Sequence, residues 1–272
     1  MTSQQTPDGT DKPHTSVQNG RLWGARAQDW ATIQEGQFAA AYHAVFDACG
    51  VGRNTRYCDV GCGSGMAAQL ASQRGAAVSG LDAAEGLLTI ARARVPAGDF
   101  QLGDLEAPPF ADGQFDLVTG FNSFQFAADP ARALAEAKRM AKPTGRVVVM
   151  TWGTPEGMPA AALVAALKPL LPPPPPGAPG PFALSEAQAL RTLAQRAGLQ
   201  PLEIADVTCH WVYPDLATAL RGLGSSGVAV KAAQASSQET VDEAHAAALA
   251  PFRQPQGGYH VGASFRWLLA AP

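Results

Sequence analysis

Residues 57–82 read YCDVGCGSGMAAQLASQRGAAVSGLD. A short run, YCDV, leads straight into glycines at alternating positions, Gly61, Gly63 and Gly65, and a second apolar run ends on Asp82. Glycines belong in such a turn when the chain needs dihedrals that a Cβ disfavours, or when a ligand must approach the main chain closely. GMAAQLASQRG then has helical spacing and closes on Gly75. Strand, glycine turn, helix and strand make up part of a doubly wound sheet. In that setting, an acidic residue about twenty positions after the turn can accept hydrogen bonds from both hydroxyls of a ribose.

The spacing is GxGxG, and the position that the dinucleotide fingerprint GxGxxG gives to its third glycine is Met66. Asp59 adds a carboxylate at the strand end, which repels a pyrophosphate and favours a ligand carrying an ammonium group. A 2'-phosphate is excluded by Asp82 for the same reason.

Downstream the rhythm continues. AAVSGLD, GDFQLGDLE, FDLVTGFN and GRVVVMTW read as strands, and AAEGLLTIARARV and DPARALAEAKRMAK as helices, the latter opened by Asp129 with Pro130 in its first turn. This alternation predicts an α/β fold with a parallel, doubly wound sheet. Upstream, Trp23, Trp30, Ile33, Phe38, Tyr42, Val45 and Phe46 recur at helical steps, so one or two helices precede the first strand. Residues 1–16 lack an apolar stripe and read as a disordered tail. The proline-rich stretch 172–181 cannot supply donors to helix or sheet and reads as a connector or lid edge. Beyond it, SEAQALRTLAQRAG carries a Ser-x-x-Gln capping pattern at Ser185 and Gln188. It is followed by a strand LEIADVTCHWVY, helices in DLATALRGLG and QETVDEAHAAALAPF, and a last strand GGYHVGASFRWLLAA.

The chain has 272 residues and a formal net charge of −3, with its basic residues scattered. It is long enough for one large domain and carries no electrostatic footprint for nucleic acid or an anionic membrane. Cys49, Cys58, Cys62 and Cys209 form neither a CxxC nor a metal-ligand cluster, so they read as reduced thiols, and no metal is expected. The amino terminus has no apolar signal region, and no segment approaches the length of a membrane span. A cytoplasmic protein is expected.

The ordered set DVGCGSG, GLD, GDLEAPPFADGQFDLVTGFNSFQF and PTGRVVVMTW resembles the class I S-adenosylmethionine-dependent methyltransferases, and among them the small-molecule enzymes of the ubiquinone/menaquinone biosynthesis type, methyltransferase type 11. The resemblance implies a Rossmann-like, seven-stranded, mostly parallel sheet with its last strand antiparallel. It also implies one methyltransferase domain over 17–272, with a cofactor core at about 53–152 and elements at about 17–50 and 153–250 covering the acceptor pocket. It implies transfer of a methyl group from S-adenosylmethionine to a small organic acceptor on oxygen, nitrogen or carbon, leaving S-adenosylhomocysteine, by a monomer or homodimer. Residue by residue, it implies that Asp59, Gly61, Cys62 and Gly63 surround the methionine moiety. Asp82 and Ala83 would meet ribose and adenine, Asp104 and Leu105 the adenine, and Gly120 and Phe121 the floor near the sulfonium.

Methyl transfer is an in-line displacement with a good leaving group, so alignment and desolvation are the main tasks and many such sites need no strong base. The stretch GFNSFQF lacks the paired histidines common in related enzymes, so no catalytic base carries over to it. The candidates are His210, His43, Tyr259 with its neighbour His260, and Gln125 with Asn122; each is equally open to a structural role. Trp23 and Trp30 either face the sulfonium or pack a helix on the sheet. Two other functions remain open: a catalytically silent S-adenosylmethionine-binding scaffold or sensor, and an NAD-dependent oxidoreductase. GxGxG and the lack of a Tyr-x-x-x-Lys pair disfavour the oxidoreductase.

Overall fold

A computed structural model describes residues 15–173 and 180–272. The apolar runs form β1 (Arg56–Val60), β2 (Ala77–Asp82), β3 (Asp99–Leu102), β4 (Phe115–Phe121), β5 (Ala141–Trp152), β6 (Gln200–Tyr213) and β7 (Tyr259–Ala271), in the order β3-β2-β1-β4-β5-β7-β6. β1 to β5 pair in parallel, and β7 runs antiparallel to both β5 and β6. The expected seven-stranded sheet with its reversed last strand is therefore present. The strand order reverses between β1 and β4, and ligands of open α/β sheets bind beside the strand ends at such a point.

The helices are α1 (Ser16–Gly24), α2 (Ala27–Asp29), α3 (Ala39–Ala48), α4 (Met66–Gln73), α5 (Glu85–Arg94), α6 (Pro130–Met140), α7 (Ala161–Ala166), α8 (Ala187–Arg196), α9 (Leu216–Leu223), α10 (Gly227–Ala235) and α11 (Gln238–Leu249). Between α2 and α3 the chain passes through a π turn (Trp30–Gln34) and a 3-10 turn (Glu35–Phe38). α6 starts as the sequence predicts: the Asp129 side chain accepts from the N–H groups of Ala131 and Arg132, with Pro130 in the first turn. Such a cap is worth about 1 kcal/mol.

One face of the sheet carries Tyr57, Phe121, Trp211 and Phe265, packed against Phe46 of α3 and against α4 and α5. The other carries Phe115, Val118, Val147 and Val149, packed against Phe124, Leu134 of α6 and Leu193 of α8. A small separate cluster of Leu167, Ala229, Ala232 and Val241 joins α10 and α11 to the chain after α7.

Several expectations are corrected. Most of the proposed tail lies outside the described residues, but Ser16 opens α1 and Thr15 Oγ1 donates to the Phe126 carbonyl at 2.7 Å. The Ser185/Gln188 capping pattern is not used; Glu186 is the cap residue and contributes no side-chain bond. α10 was not foreseen, because its composition, GVAVKAAQA, has no strong polar face. The segment 153–250 is not one cover: β6 belongs to the sheet and α8 packs beside α6 on the face away from α3. Of the proline-rich stretch, 174–179 lie outside the described residues.

Candidate functional site

A cavity of about 120 Å³ opens at the reversal point between β1 and β4, with Gly61 and Phe121 at the ends of those strands in its lining. Gly61, Gly63 and Gly65 hold positive φ values of 81°, 55° and 81°, so the turn between β1 and α4 does need the freedom that the sequence suggests. The turn is tied down from two sides. The N–H groups of Gly61 and Cys62 donate to the Leu81 carbonyl at 2.7 and 2.9 Å, and the Gly63 N–H donates to Asp82 Oδ2 at 2.8 Å. Asp82 Oδ1 accepts from the Ala84 N–H at 2.8 Å, so two backbone donors fix the carboxylate at the cavity wall.

A third tie comes from Glu35, which is 3% exposed. Its carboxylate accepts from the Ser64 N–H at 3.1 Å and from the Ser64 hydroxyl at 2.5 Å, and it pairs with Arg94 of α5. Arg94 also donates to the Ser64 and Ala31 carbonyls, which spends its fork within the fold. A buried carboxylate needs such a partner and such hydrogen bonds.

Asp59 lies beneath the turn and is 2% exposed, in a relay with Thr119 Oγ1 at 2.8 Å, itself 2.7 Å from the Tyr57 hydroxyl. Burial, reinforced by the nearby Glu35 and Asp82 carboxylates, pushes the Asp59 carboxyl up to about 8. Burial also pushes the Asp82 carboxyl upward, against its backbone hydrogen bonds. Each carboxylate is therefore short of positive charge, and a cationic ligand group placed there relieves both.

Of the residues named from the sequence for cofactor binding, Gly61, Gly63, Asp82, Ala83, Asp104, Leu105 and Phe121 line the cavity. Asp59, Cys62 and Gly120 do not. Asp59 sits under the floor. The Cys62 sulfur lies against Gly80, where an added Cβ would meet it at 2.8 Å, and burial pushes its thiol well up. Gly120 is small to make room for the Phe124 ring, which an added Cβ would meet at 2.2 Å.

The four catalytic candidates lie outside the cavity. His210 and His260 face solvent on adjacent strands, with ring nitrogens 3.1 Å apart, while their neighbours Cys209, Trp211 and Val261 point into the core. His43 Nδ1 lies 3.0 Å from Arg74 on the outer side of α3. Tyr259 packs at the margin of the core, and Gln125 makes one weak contact with Asn122 Oδ1 at 3.5 Å. Asn122 itself does reach the cavity, held at a φ of 53°.

The cavity's other wall comes from the amino-terminal segment: Thr15, then Ser16, Asn19 and Trp23 on α1, then Trp30, Phe38 and Tyr42. Trp23, Trp30, Phe38 and Tyr42 were visible as the apolar stripe. Thr15, Ser16 and Asn19 carried no signal, because polar residues on a short helix look like surface. No described residue of 153–250 lines the cavity; α10 instead backs α1, where an added Cβ at Gly227 would meet the Trp23 indole nitrogen at 2.6 Å.

Residues 58–149 match the family model described as Methyltransferase domain. The chain is 38% identical over 111 residues to demethylmenaquinone methyltransferase of Renibacterium salmoninarum, covering 41% of this chain and 47% of that one. It is 30% identical over 214 residues to malonyl-[acyl-carrier protein] O-methyltransferase of Erwinia billingiae, covering 79% and 73%. Against several curated relatives the match spans less than two thirds of their length, 47%, 36% and 56%. Among solved structures, geranyl diphosphate C-methyltransferase of Streptomyces coelicolor A3(2) superposes with a TM-score of 0.55 at 15% identity, covering 97% of this chain and 99% of that one; this is a likeness of fold.

Proposed function

The chain belongs to the S-adenosylmethionine-dependent methyltransferases, and from that premise we propose that it transfers a methyl group from S-adenosylmethionine to a small organic acceptor held in the same cavity. The observation that carries this reading is the charge of the cavity. Its glycine turn, Asp82 and Asp104 offer backbone and carboxylate, with Asp59 beneath, and the described lining residues include no Lys, Arg or His. That chemistry suits a ligand with an ammonium and a sulfonium and disfavours a pyrophosphate. Gly61 and Gly63 would border the methionine moiety, Asp82 and Ala83 the ribose and adenine, and Asp104 and Leu105 the far edge of the adenine. When bound, the cofactor supplies an electrophilic methyl on a good leaving group.

The chain's own contribution is position and dryness. Phe121 and the aromatic rings of the amino-terminal wall would keep water from the methyl group once the cofactor fills the volume beside the turn, and Asn122 adds a carboxamide to the lining. Calorimetric titration with S-adenosylmethionine, S-adenosylhomocysteine and NAD tests the reading. Binding of the first two without NAD is expected, and Asp82→Ala should weaken it by about 1.5–3 kcal/mol through loss of charge-assisted hydrogen bonds. Binding of NAD alone would overturn the proposal.

A further inference from the structure

We propose that Gln37 is a positioning residue for the cofactor site: it caps the edge of β6 and so holds the turn 30–38 in the arrangement that brings Glu35 to the glycine turn and Trp30 and Phe38 to the cavity. The proposal rests on the cofactor reading above and adds to it a residue that is not itself part of the described cavity lining.

Three observations lead there. The first is the cap. β6 is the last strand in the order of the sheet, so its outer edge pairs with no described strand. At Val212 the Gln37 carboxamide takes that place: its Nε2 donates to the Val212 carbonyl at 2.9 Å, and its Oε1 accepts from the Val212 N–H at 3.0 Å. One side chain thus supplies the donor and the acceptor that a neighbouring strand would supply. The next residue of β6 anchors the same turn, because the Tyr213 hydroxyl donates to Gln34 Oε1 at 2.8 Å and both side chains are buried. α9 seals this contact by carrying Gly222, where an added Cβ would lie 3.1 Å from the Gln34 oxygen.

The second is what the turn carries on its other side. Glu35 holds Ser64 and Arg94, and its Oε1 would lie 3.2 Å from a Cβ added at Gly63. Trp30 and Phe38, at the two ends of the turn, line the cavity. The Phe38 ring also meets those of Trp211 and Phe265, at centroid distances of 5.7 and 5.1 Å. Within five residues, Gln34 and Gln37 grip β6 while Glu35 and Phe38 serve the cofactor side.

The third is the backbone between them. Residues 30–34 form a π turn closed by the Glu35 N–H on the Trp30 carbonyl, and residues 35–38 a 3-10 turn closed by the Ala39 N–H on the Gly36 carbonyl. Neither has the hydrogen-bond ladder of an α-helix, and π turns are rare and concentrate at functional sites. A segment of this kind takes its shape from its side-chain ties. Loss of the Gln37 cap frees the turn to shift and Glu35 with it. The binding-ready arrangement then makes up a smaller fraction of the folded protein, and the apparent affinity falls by that fraction.

The test is calorimetric titration of the full chain with S-adenosylhomocysteine. Gln37→Met keeps the reach of the side chain and removes its donor and acceptor, and it should raise the Kd by at least about fivefold. The urea midpoint should change little, because Gln37 is half-buried and water replaces it at Val212. A double-mutant cycle separates positioning from mere stability. Ser64→Ala removes the hydroxyl that Glu35 holds and should weaken binding by itself. In the Gln37→Met protein the same change should weaken binding by a factor at least about threefold smaller, because Glu35 is already released, whereas independent sites multiply their factors to within about twofold. Should Ser64→Ala fail to fold, Arg94→Lys, which breaks the guanidinium contacts to Glu35, takes its place in the cycle. Unchanged affinity in Gln37→Met, or factors that simply multiply, would overturn the proposal and leave methyl transfer standing. Failure of the unmodified chain to bind S-adenosylhomocysteine would instead remove the reading on which it rests.

Discussion

Asp59 sits in the turn motif without touching the cavity, and it is the residue where fold and ligand compete. An ordinary aspartate is ionised at neutral pH, whereas here burial holds the carboxyl up to about 8. A carboxyl raised on folding contributes stability at pH values below its unfolded value near 3.8 and loses that contribution as pH rises through about 8. The ligand-free protein therefore bears a cost at neutral pH, which a nearby ligand cation offsets. Asp59→Asn should raise the unfolding free energy at pH 8 by on the order of 1–3 kcal/mol, read by urea denaturation, while weakening S-adenosylmethionine binding several-fold. A variant that loses stability would mean the carboxylate is needed by the fold itself. The motif showed that an acid stands here; only the packing of Tyr57, Thr119 and Asp59 shows that it is sealed from the cavity.

α1 forms one wall of the cavity and is fastened to the far side by few bonds. Thr15 Oγ1 and Asn19 Nδ2 both donate to the Phe126 carbonyl, at 2.7 and 2.9 Å, and Gly20 lies so close that an added Cβ would be 2.1 Å from the Ala83 oxygen. A ligand leaving between α1 and the loop after β2 has to part these contacts. Asn19→Ala removes one hydrogen bond across the gap and loosens Thr15, a loss of about 1–2 kcal/mol from the closed arrangement. Dissociation of S-adenosylhomocysteine in stopped-flow fluorescence should then be about tenfold faster, with the unfolding midpoint unchanged. An unaltered rate would mean that the ligand leaves by another path. The sequence shows α1 as part of an apolar stripe and hides its polar latch, because Thr15 and Asn19 have partners more than a hundred positions away.

At the scale of the whole molecule, the acid-sensitive point is His245 of α11, a helix that joins the main core through Leu249 and the small cluster of Leu167, Ala229 and Ala232 through Val241. His245 is 2% exposed on α11, its Nδ1 has no partner among the described residues, and burial lowers its imidazole to about 4. The unfolded chain takes up a proton at about 6.5, the folded chain only near 4, so stability is whole above 6.5 and is lost as pH falls through that interval. The loss amounts to about 3 kcal/mol once the folded-state value is passed. His245→Leu should flatten the urea-midpoint profile between pH 6.5 and 4; an unchanged slope would place the acid sensitivity elsewhere. No described helix is long and apolar enough to cross a membrane.

The alternation of runs from Tyr57 to Trp152, the positive-φ glycines and the acidic residues Asp82, at the end of β2, and Asp104, after β3, were legible in the chain because each depends on neighbours within a few positions. Strand periodicity, turn chemistry and caps such as Asp129 are local physics. The tie from Glu35 through Ser64 to Arg94, the aromatic corner of Trp23, Trp30 and Phe126, and the exclusion of His210, His43, Tyr259 and Gln125 from the cavity arise between elements far apart in sequence. A side chain's address on its helix or strand is written in the local pattern, but which space it faces is decided only when the sheet brings those elements together.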